Sequence, residues 1–353
     1  MEWFEERLHA NWRQAIRVKE VVYEERTGHQ ELVIFDSFDW GRVLALDGVV
    51  QTTTGDEFCY HEMIVHVPLM AHGSAREVLV IGGGDGGCLR EALKHEGVAR
   101  VTQVEIDPSV IDMCVRYLPT ISDGAFDSPR ASVVIADGAR FAAEAAERSY
   151  DVVIVDSTDP QGPGAALFTP EFYRDCRRLL REGGIMATQC GNPSIRPDEL
   201  VDTQRNQRSA GFALVDYYLP VVPTYVGGAM ALGFATDDPG SDRLDKLEAV
   251  VRQGSGDVAG TAPLLAELLG LEAEERYGRI ELTPQERRAR TLKALGDELV
   301  ALAAREPVLL VLEHGRLVGT LDGNDIHAAL ALQLTREERT RARGSRWRQE
   351  RPA

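Results

Sequence analysis

The sequence predicts an α/β protein in three parts: a small N-terminal antiparallel β domain (1–56), a doubly wound, mostly parallel sheet (57–240) and a mostly helical C-terminal appendage (241–353). Three observations predict it. From Val78 to Thr188 short apolar runs alternate with amphipathic stretches, the pattern of right-handed βαβ units. Before them, β-branched and aromatic runs are separated by turn residues. Beyond Asp238 the composition changes. Residues 1–240 hold 21 basic and 37 acidic side chains, and residues 241–353 hold 18 and 19, so nearly all of the formal net charge of −17 lies in the first two thirds.

Strands are expected at 18–23, 30–35, 41–46 and 49–53, punctuated by Gly28, by Asp39-Trp40-Gly41 and by the hairpin signal Asp47-Gly48. A helix follows at 57–70. The alternation then runs strand 78–81, helix 87–95, strand 101–106, helix 109–117, strand 131–135, helix 139–147, strand 152–155, helix 170–180 and strand 184–188. Strands at 212–218 and 229–235, with only a loop between them, predict an antiparallel edge. Seven strands with that ending are the class I methyltransferase-like variant of the Rossmann sheet. In the appendage, 244–251, 262–269 and 283–304 read as helices and 308–312 as a strand. The Arg-rich tail after 335 is expected to be disordered.

The acidity argues against nucleic acid and anionic membrane as partners. Five scattered cysteines without a Cys-x-x-Cys pair predict reduced thiols and no zinc site. The start, Met1-Glu2-Trp3-Phe4-Glu5-Glu6, lacks the features of a secretion signal, and no apolar run approaches the ~18–20 residues of a membrane helix. A cytoplasmic protein is expected.

The chemistry gathers at strand ends. Gly82-Gly83-Gly84-Asp85-Gly86-Gly87 joins the first buried strand to a helix, where glycines let backbone approach a ligand at a helix N-terminus. Glu105 ends the next strand, placed to accept from ribose hydroxyls. Asp137 ends the third, placed for an adenine amino group or, more plainly, as a helix cap. Asp156 ends the fourth, in Asp156-Ser157-Thr158-Asp159-Pro160. All four meet at the carboxyl edge of the sheet, where such folds bind ligands. Gln30, Gln51, Tyr60 and His61 are placed to roof that edge.

Asp85 bears on the ligand. S-adenosylmethionine carries a carboxylate near this loop, and two like charges ~4 Å apart at an effective dielectric of ~20 cost roughly 4 kcal/mol. A decarboxylated ligand with only an ammonium is attracted instead.

With these motifs the chain resembles the spermidine synthases, the polyamine aminopropyltransferases, over residues 12–238. The matching stretches include Leu46-Asp47-Gly48-Val49-Val50-Gln51-Thr52, Asp56-Glu57-Phe58-Cys59-Tyr60-His61-Glu62 and Pro223-Thr224-Tyr225 beside the glycine loop and the Asp156–Pro160 motif. The resemblance implies nucleoside contacts from Gln30, Glu105, Asp137, Gly138 and Pro163. It implies polyamine contacts from His61, Asp85, Asp156 and Asp159, with Tyr60 and Tyr225 lining the channel and Asp156 as proton acceptor. A mobile loop is implied over 159–172, and a dimer. The implied substrates are putrescine and decarboxylated S-adenosylmethionine, the latter a co-substrate, with no metal or further cofactor. Two other readings stand beside this one: an S-adenosylmethionine-dependent methyltransferase, and a catalytically inactive polyamine- or nucleoside-binding protein. Residues 262–313 resemble a fragment of a signalling-type ATPase, but the chain has no Gly-x-x-x-x-Gly-Lys-Ser/Thr loop for nucleotide phosphates.

Overall fold

The computed structural model describes residues 2–160, 162–237, 240–303, 308–311 and 317–321. The chain divides into two compact units, Met1–Asp238 and Pro239–Ala353.

The first unit opens with a five-stranded antiparallel sheet in sequential order: β1 (Trp3–Glu5), β2 (Ala15–Arg26), β3 (Glu31–Ser37), β4 (Arg42–Leu46) and β5 (Val49–Thr53). The Asp47-Gly48 turn between β4 and β5 has both residues at positive φ, 49° and 77°, which suits a two-residue hairpin. One face of this sheet forms its own core around Phe4, Val33, Phe35 and Val43. The other presents Leu32, Ile34, Leu44 and Leu46, which pack on Val110, Cys114, Leu118 and Ile121. That alternation seats the small sheet on the large domain.

Next come α1 (Glu57–His72), β6 (Glu77–Gly82), α2 (Gly87–Leu93), β7 (Arg100–Glu105), α3 (Pro108–Tyr117), α4 (Pro119–Ser122) and β8 (Ala131–Ile135). They are followed by α5 (Gly138–Glu144), β9 (Tyr150–Asp156), α6 (Pro170–Leu179), β10 (Leu180–Gln189), α7 (Pro197–Ser209), β11 (Leu214–Tyr218) and β12 (Leu232–Thr236). The seven strands lie in the order β11-β12-β10-β9-β6-β7-β8. The pairs β10/β9, β9/β6, β6/β7 and β7/β8 are parallel; β12 runs antiparallel to both β10 and β11. This is the doubly wound sheet with an antiparallel edge that the alternation predicts. Its central strands are apolar on both faces because helices cover both: one core is built around Ile64, Val80, Leu89 and Ile154, the other around Ile81, Val153, Phe172 and Tyr173.

Several elements depart from the sequence reading. β2 begins three residues earlier than expected and β10 four, and β1 was not expected. The helix α7 was also unforeseen, although Pro197 in its first turn with Asp198 and Glu199 is a legible start. A short 3-10 helix (Gly162–Phe168) lies inside the stretch expected to be a mobile loop.

The second unit carries α8 (Gly240–Gln253), α9 (Val258–Leu268), α10 (Glu274–Tyr277), α11 (Pro284–Ala303) and an antiparallel pair, β13 (Val308–Val311) with β14 (Leu317–Leu321). Its helices share a core of Val251, Ala262, Leu264, Leu265 and Ala294. Thr283 and Glu286 form a reciprocal capping box at the start of α11: the Thr283 N–H donates to Glu286 Oε2 at 3.0 Å, and the Glu286 N–H donates to Thr283 Oγ1 at 3.3 Å. The expected Arg-rich tail lies outside the described residues.

Candidate active site

β6 pairs with β7 on one side and β9 on the other, so the strand order reverses there and a crevice opens beyond their carboxyl ends. The glycine loop follows β6, and Ser157, Thr158 and Asp159 follow β9. Gly82 makes their close approach possible. Its φ is +86°, and a Cβ would lie 2.0 Å from the Asp156 carbonyl oxygen. The Gly83 N–H then donates to that carbonyl at 2.9 Å.

One cleft is lined by Gln30, Gln51, Tyr60, His61, Asp85, Glu105, Asp137, Gly138, Asp156, Asp159 and Tyr225. These residues span the small sheet, α1, four strand ends and the loop before β12. Tertiary bonds hold the parts together. Gln30 donates through Nε2 to Asp107 at 3.1 Å, and the Tyr225 hydroxyl donates to the Gln51 carbonyl at 2.7 Å. Asp56, at the N-terminus of α1, accepts from the Thr224 N–H and hydroxyl, both at 2.8 Å. Pro163 lies in the 3-10 helix, its side chain outside the described residues.

Asp156 sits at the centre. Its Oδ1 accepts from the Tyr60 hydroxyl at 2.9 Å, and its Oδ2 from the Cys88 thiol at 3.1 Å. Burial pushes its pKa up and the Asp85 charge adds to this, while His61, Cys88 and Tyr60 oppose the rise. The result is a carboxylate more basic than usual, hydrogen-bonded to neutral donors.

Asp85 differs from the lone anion expected of it. Its Oδ1 accepts from the Gly87 N–H at 2.7 Å and its Oδ2 lies 3.4 Å from His61 Nε2. On the other side of the ring, His61 Nδ1 lies 2.6 Å from Glu57, which Arg90 grips with two N–H groups at 3.0 and 2.9 Å. Burial opposes protonation of His61, yet Asp85 and Glu57 hold its pKa well above the usual range. The repulsion of a donor carboxylate by Asp85 is therefore weaker than a bare charge suggests, because an imidazolium stands beside it.

At the end of β7, burial raises the Glu105 pKa to about 7 against the pull of the Asp107 and Ile106 amides. Asp137 caps α5, its Oδ1 accepting from the Arg140 N–H at 2.9 Å, which is the plainer of its two expected roles. Beyond β9, burial raises the Asp159 pKa despite nearby His9 and Gln189. Sequence reasoning missed Glu6, His9 and Glu199, which also line the cleft. They come from the ends of the small sheet and from α7, and nothing in their local spacing marks them. Glu57 was legible, since Glu57 and His61 are four apart on one helix face.

His61, Cys88 and Asp156 bring ligand atoms within 4.8 Å of one another. Their chemistry does not fit a metal. Both His61 nitrogens face carboxylates, leaving no lone pair for an ion, and burial together with the Asp156 charge holds the Cys88 thiol well above its usual range.

A two-layer enzyme cleft of this kind, with a glycine loop and carboxylates at a sheet switch point, defines the class. Residues 57–245 match the family described as spermine/spermidine synthase domain, and residues 2–54 match the spermidine synthase tetramerisation domain. The chain is 52% identical over 241 residues to polyamine aminopropyltransferase 1 of Pseudomonas aeruginosa, covering 68% of this chain and 84% of that one. It is 49% identical to the polyamine aminopropyltransferase of Sodalis glossinidius, covering 71% and 87%. A crystal structure of spermidine synthase in complex with the transition state analogue AdoDATO superposes with a TM-score of 0.65 at 39% identity, covering 67% of this chain and 80% of that one. The spermidine synthase of Thermotoga maritima superposes at 0.64 and 38% identity, covering 67% and 79%. The chain belongs to the polyamine aminopropyltransferase family and is an enzyme of that family. Among the described residues no helix is long and apolar enough to cross a membrane.

Proposed function

We propose that the chain transfers an aminopropyl group from decarboxylated S-adenosylmethionine to putrescine, giving spermidine and methylthioadenosine. The observation that carries this reading is Asp156: a half-buried carboxylate whose direct hydrogen-bond donors, Tyr60 and Cys88, are both neutral. Such a group favours a cation beside it. Asp159, at the same strand end, supplies a second carboxylate for a diamine. Glu105 and Asp137 line the opposite side, where ribose and adenine would sit.

In the reaction the acceptor nitrogen attacks the methylene next to the sulfonium. The new N–C bond forms as the C–S bond breaks, and the sulfur leaves as a neutral thioether. The surplus ammonium proton passes to Asp156. An amine with pKa near ~10.4 is neutral in only about one molecule in a few thousand at pH 7. Carboxylates that bind the dication raise that pKa further. A base made stronger by burial offsets part of the cost, and fixed approach geometry contributes the rest. Tyr60 and Tyr225, with ring centroids 6.0 Å apart, wall the path. Closure of the loop around Gly164, Ala166 and Leu167, which line the cleft, would exclude water. Residues 2–54 are the part through which we expect the enzyme to assemble as an oligomer.

The test is to incubate the protein with putrescine and either sulfonium donor and to look for methylthioadenosine. Product only with the decarboxylated donor supports the reading. Methylated product with the ordinary donor makes it a methyltransferase, and binding without turnover makes it a sensor.

A further inference from the structure

Arg90, Glu57, His61 and Asp85 form a continuous row of alternating charge running from α2 through α1 to the glycine loop. Arg90 is fixed beyond Glu57 as well: its side chain donates to the Ile121 carbonyl at 2.5 Å and to Glu91 at 2.7 Å. His61 is 2% exposed and has no room to turn. Its ring lies so close to the start of α2 that a Cβ on Gly87 would fall 2.3 Å from its Cε1 and Nδ1. The ring is thus held edge-on between two carboxylates.

We propose that Glu57 is a positioning residue that holds His61 as a permanent imidazolium against Asp85, so that the row is neutral and Asp85 adds no second uncompensated charge beside Asp156. Every charged group around the ring bears on this. Glu57 lies on the same helix, with Tyr60 beside it; Asp85 comes from the glycine loop, Asp156 from the end of β9, and Arg90 and Cys88 from α2. Burial favours the neutral ring. Two carboxylates on its two nitrogens, with Asp156 close behind, outweigh burial. Burial also raises Glu57, but its bonds to His61 and Arg90 keep it below its ordinary pKa and so ionised. A neutral His61 would leave Asp85 as a second anion beside Asp156, so that more of Asp156 would already carry a proton before the amine binds. Glu57 is not among the residues that line the cleft, and its effect passes through His61.

The experiment is a titration of the substrate-free, full-length enzyme carrying histidines labelled with carbon-13 at Cε1. The chain has eight histidines, and His61→Asn identifies the signal. The expected result is a His61 resonance at the imidazolium position, unmoved from pH 6 to 9, that titrates inside this window in Glu57→Gln. Glu57→Asp restores the charge and returns the resonance toward its fixed state. The kinetic counterpart, which rests on the aminopropyl-transfer reading, is a new inflection in the kcat profile of Glu57→Gln at the pH where His61 titrates. With it comes a loss of about ten- to a hundredfold, the scale of one hydrogen bond to a charged group, carried by kcat more than by KM. A wild-type His61 that titrates between pH 6 and 9 overturns the proposal, whether or not the variant folds. So does a Glu57→Gln enzyme whose His61 stays fixed. The titration needs no turnover, so its failure is distinct from failure of the proposed reaction.

Discussion

The phenol of Tyr60 donates a 2.9 Å hydrogen bond to the carboxylate of Asp156, across 96 positions of chain. Tyr60 lies on α1 and Asp156 at the end of β9. The bond therefore joins the helix that roofs the cleft to the strand end that floors it. It stabilises the ionised carboxylate, the form that can accept a proton.

Tyr60→Phe removes that donor and leaves only the Cys88 thiol on Asp156. Burial and Asp85 already raise the Asp156 pKa, and Tyr60 opposes them. Losing it raises the pKa further, so the acid limb of the kcat profile moves to higher pH. A hydrogen bond to a charged group contributes about 1.5–3 kcal/mol, so kcat at pH 7 should fall about ten- to a hundredfold. Asp156→Asn should cost more, about 10²–10⁴. Steady-state rates from pH 6 to 10 provide the check, and an Asp156→Asn enzyme with near-normal turnover removes the base assignment.

Glu105 supplies a pH signature on the donor side. Its pKa is raised to about 7, mainly by burial, from an ordinary value near 4.5. The native state therefore binds the proton more tightly than the unfolded chain. Its contribution to stability is full below pH 4.5 and is lost as pH rises through 7. In the proposed reaction ribose hydroxyls donate to the ionised form, so the donor KM should fall about tenfold between pH 6 and 8 as the carboxylate forms. Glu105→Gln should flatten that dependence. In the substrate-free protein it should also raise stability at pH 8 by up to about 3 kcal/mol, with little effect at pH 4. Donor KM against pH and urea unfolding at the two pH values measure these effects.

Gly87→Ala tests the close seat of His61. The added methyl would stand 2.3 Å from the ring, far inside contact distance, and the ring is buried and held at both nitrogens. Overpacking of this kind costs typically about 1–3 kcal/mol. Thermal unfolding should shift down, and turnover of the folded fraction should fall because His61 is displaced from Asp85. An alanine variant with wild-type stability and rate would show that the ring has freedom this packing denies it.

Much of this arrangement is legible in the chain. The βαβ alternation marks β6 to β10 because buried parallel strands must be apolar on both faces, and their ends carry Gly82, Glu105, Asp137 and Asp156. The antiparallel small sheet shows in its turns. Less legible is α7, whose surface is polar and whose buried residues are few: Leu200, Thr203 and Gln207. Glu6 and Glu199 escape for a related reason. Each sits in an ordinary local context and becomes part of the cleft only when distant elements converge.

The sequence by itself determined the βαβ alternation from β6 to β10, the family, and the carboxylates that collect at one sheet edge, because periodicity and glycine spacing are local properties. It could not decide which of those carboxylates remain unpaired, because pairing depends on through-space distances. The tertiary structure set His61 and Arg90 beside Asp85 and Glu57, and it gave Asp156 a phenol and a thiol as its hydrogen-bond donors. An anion keeps most of its pull on a cation where its own hydrogen-bond partners are neutral, and loses most of it where a fixed cation is paired with it directly.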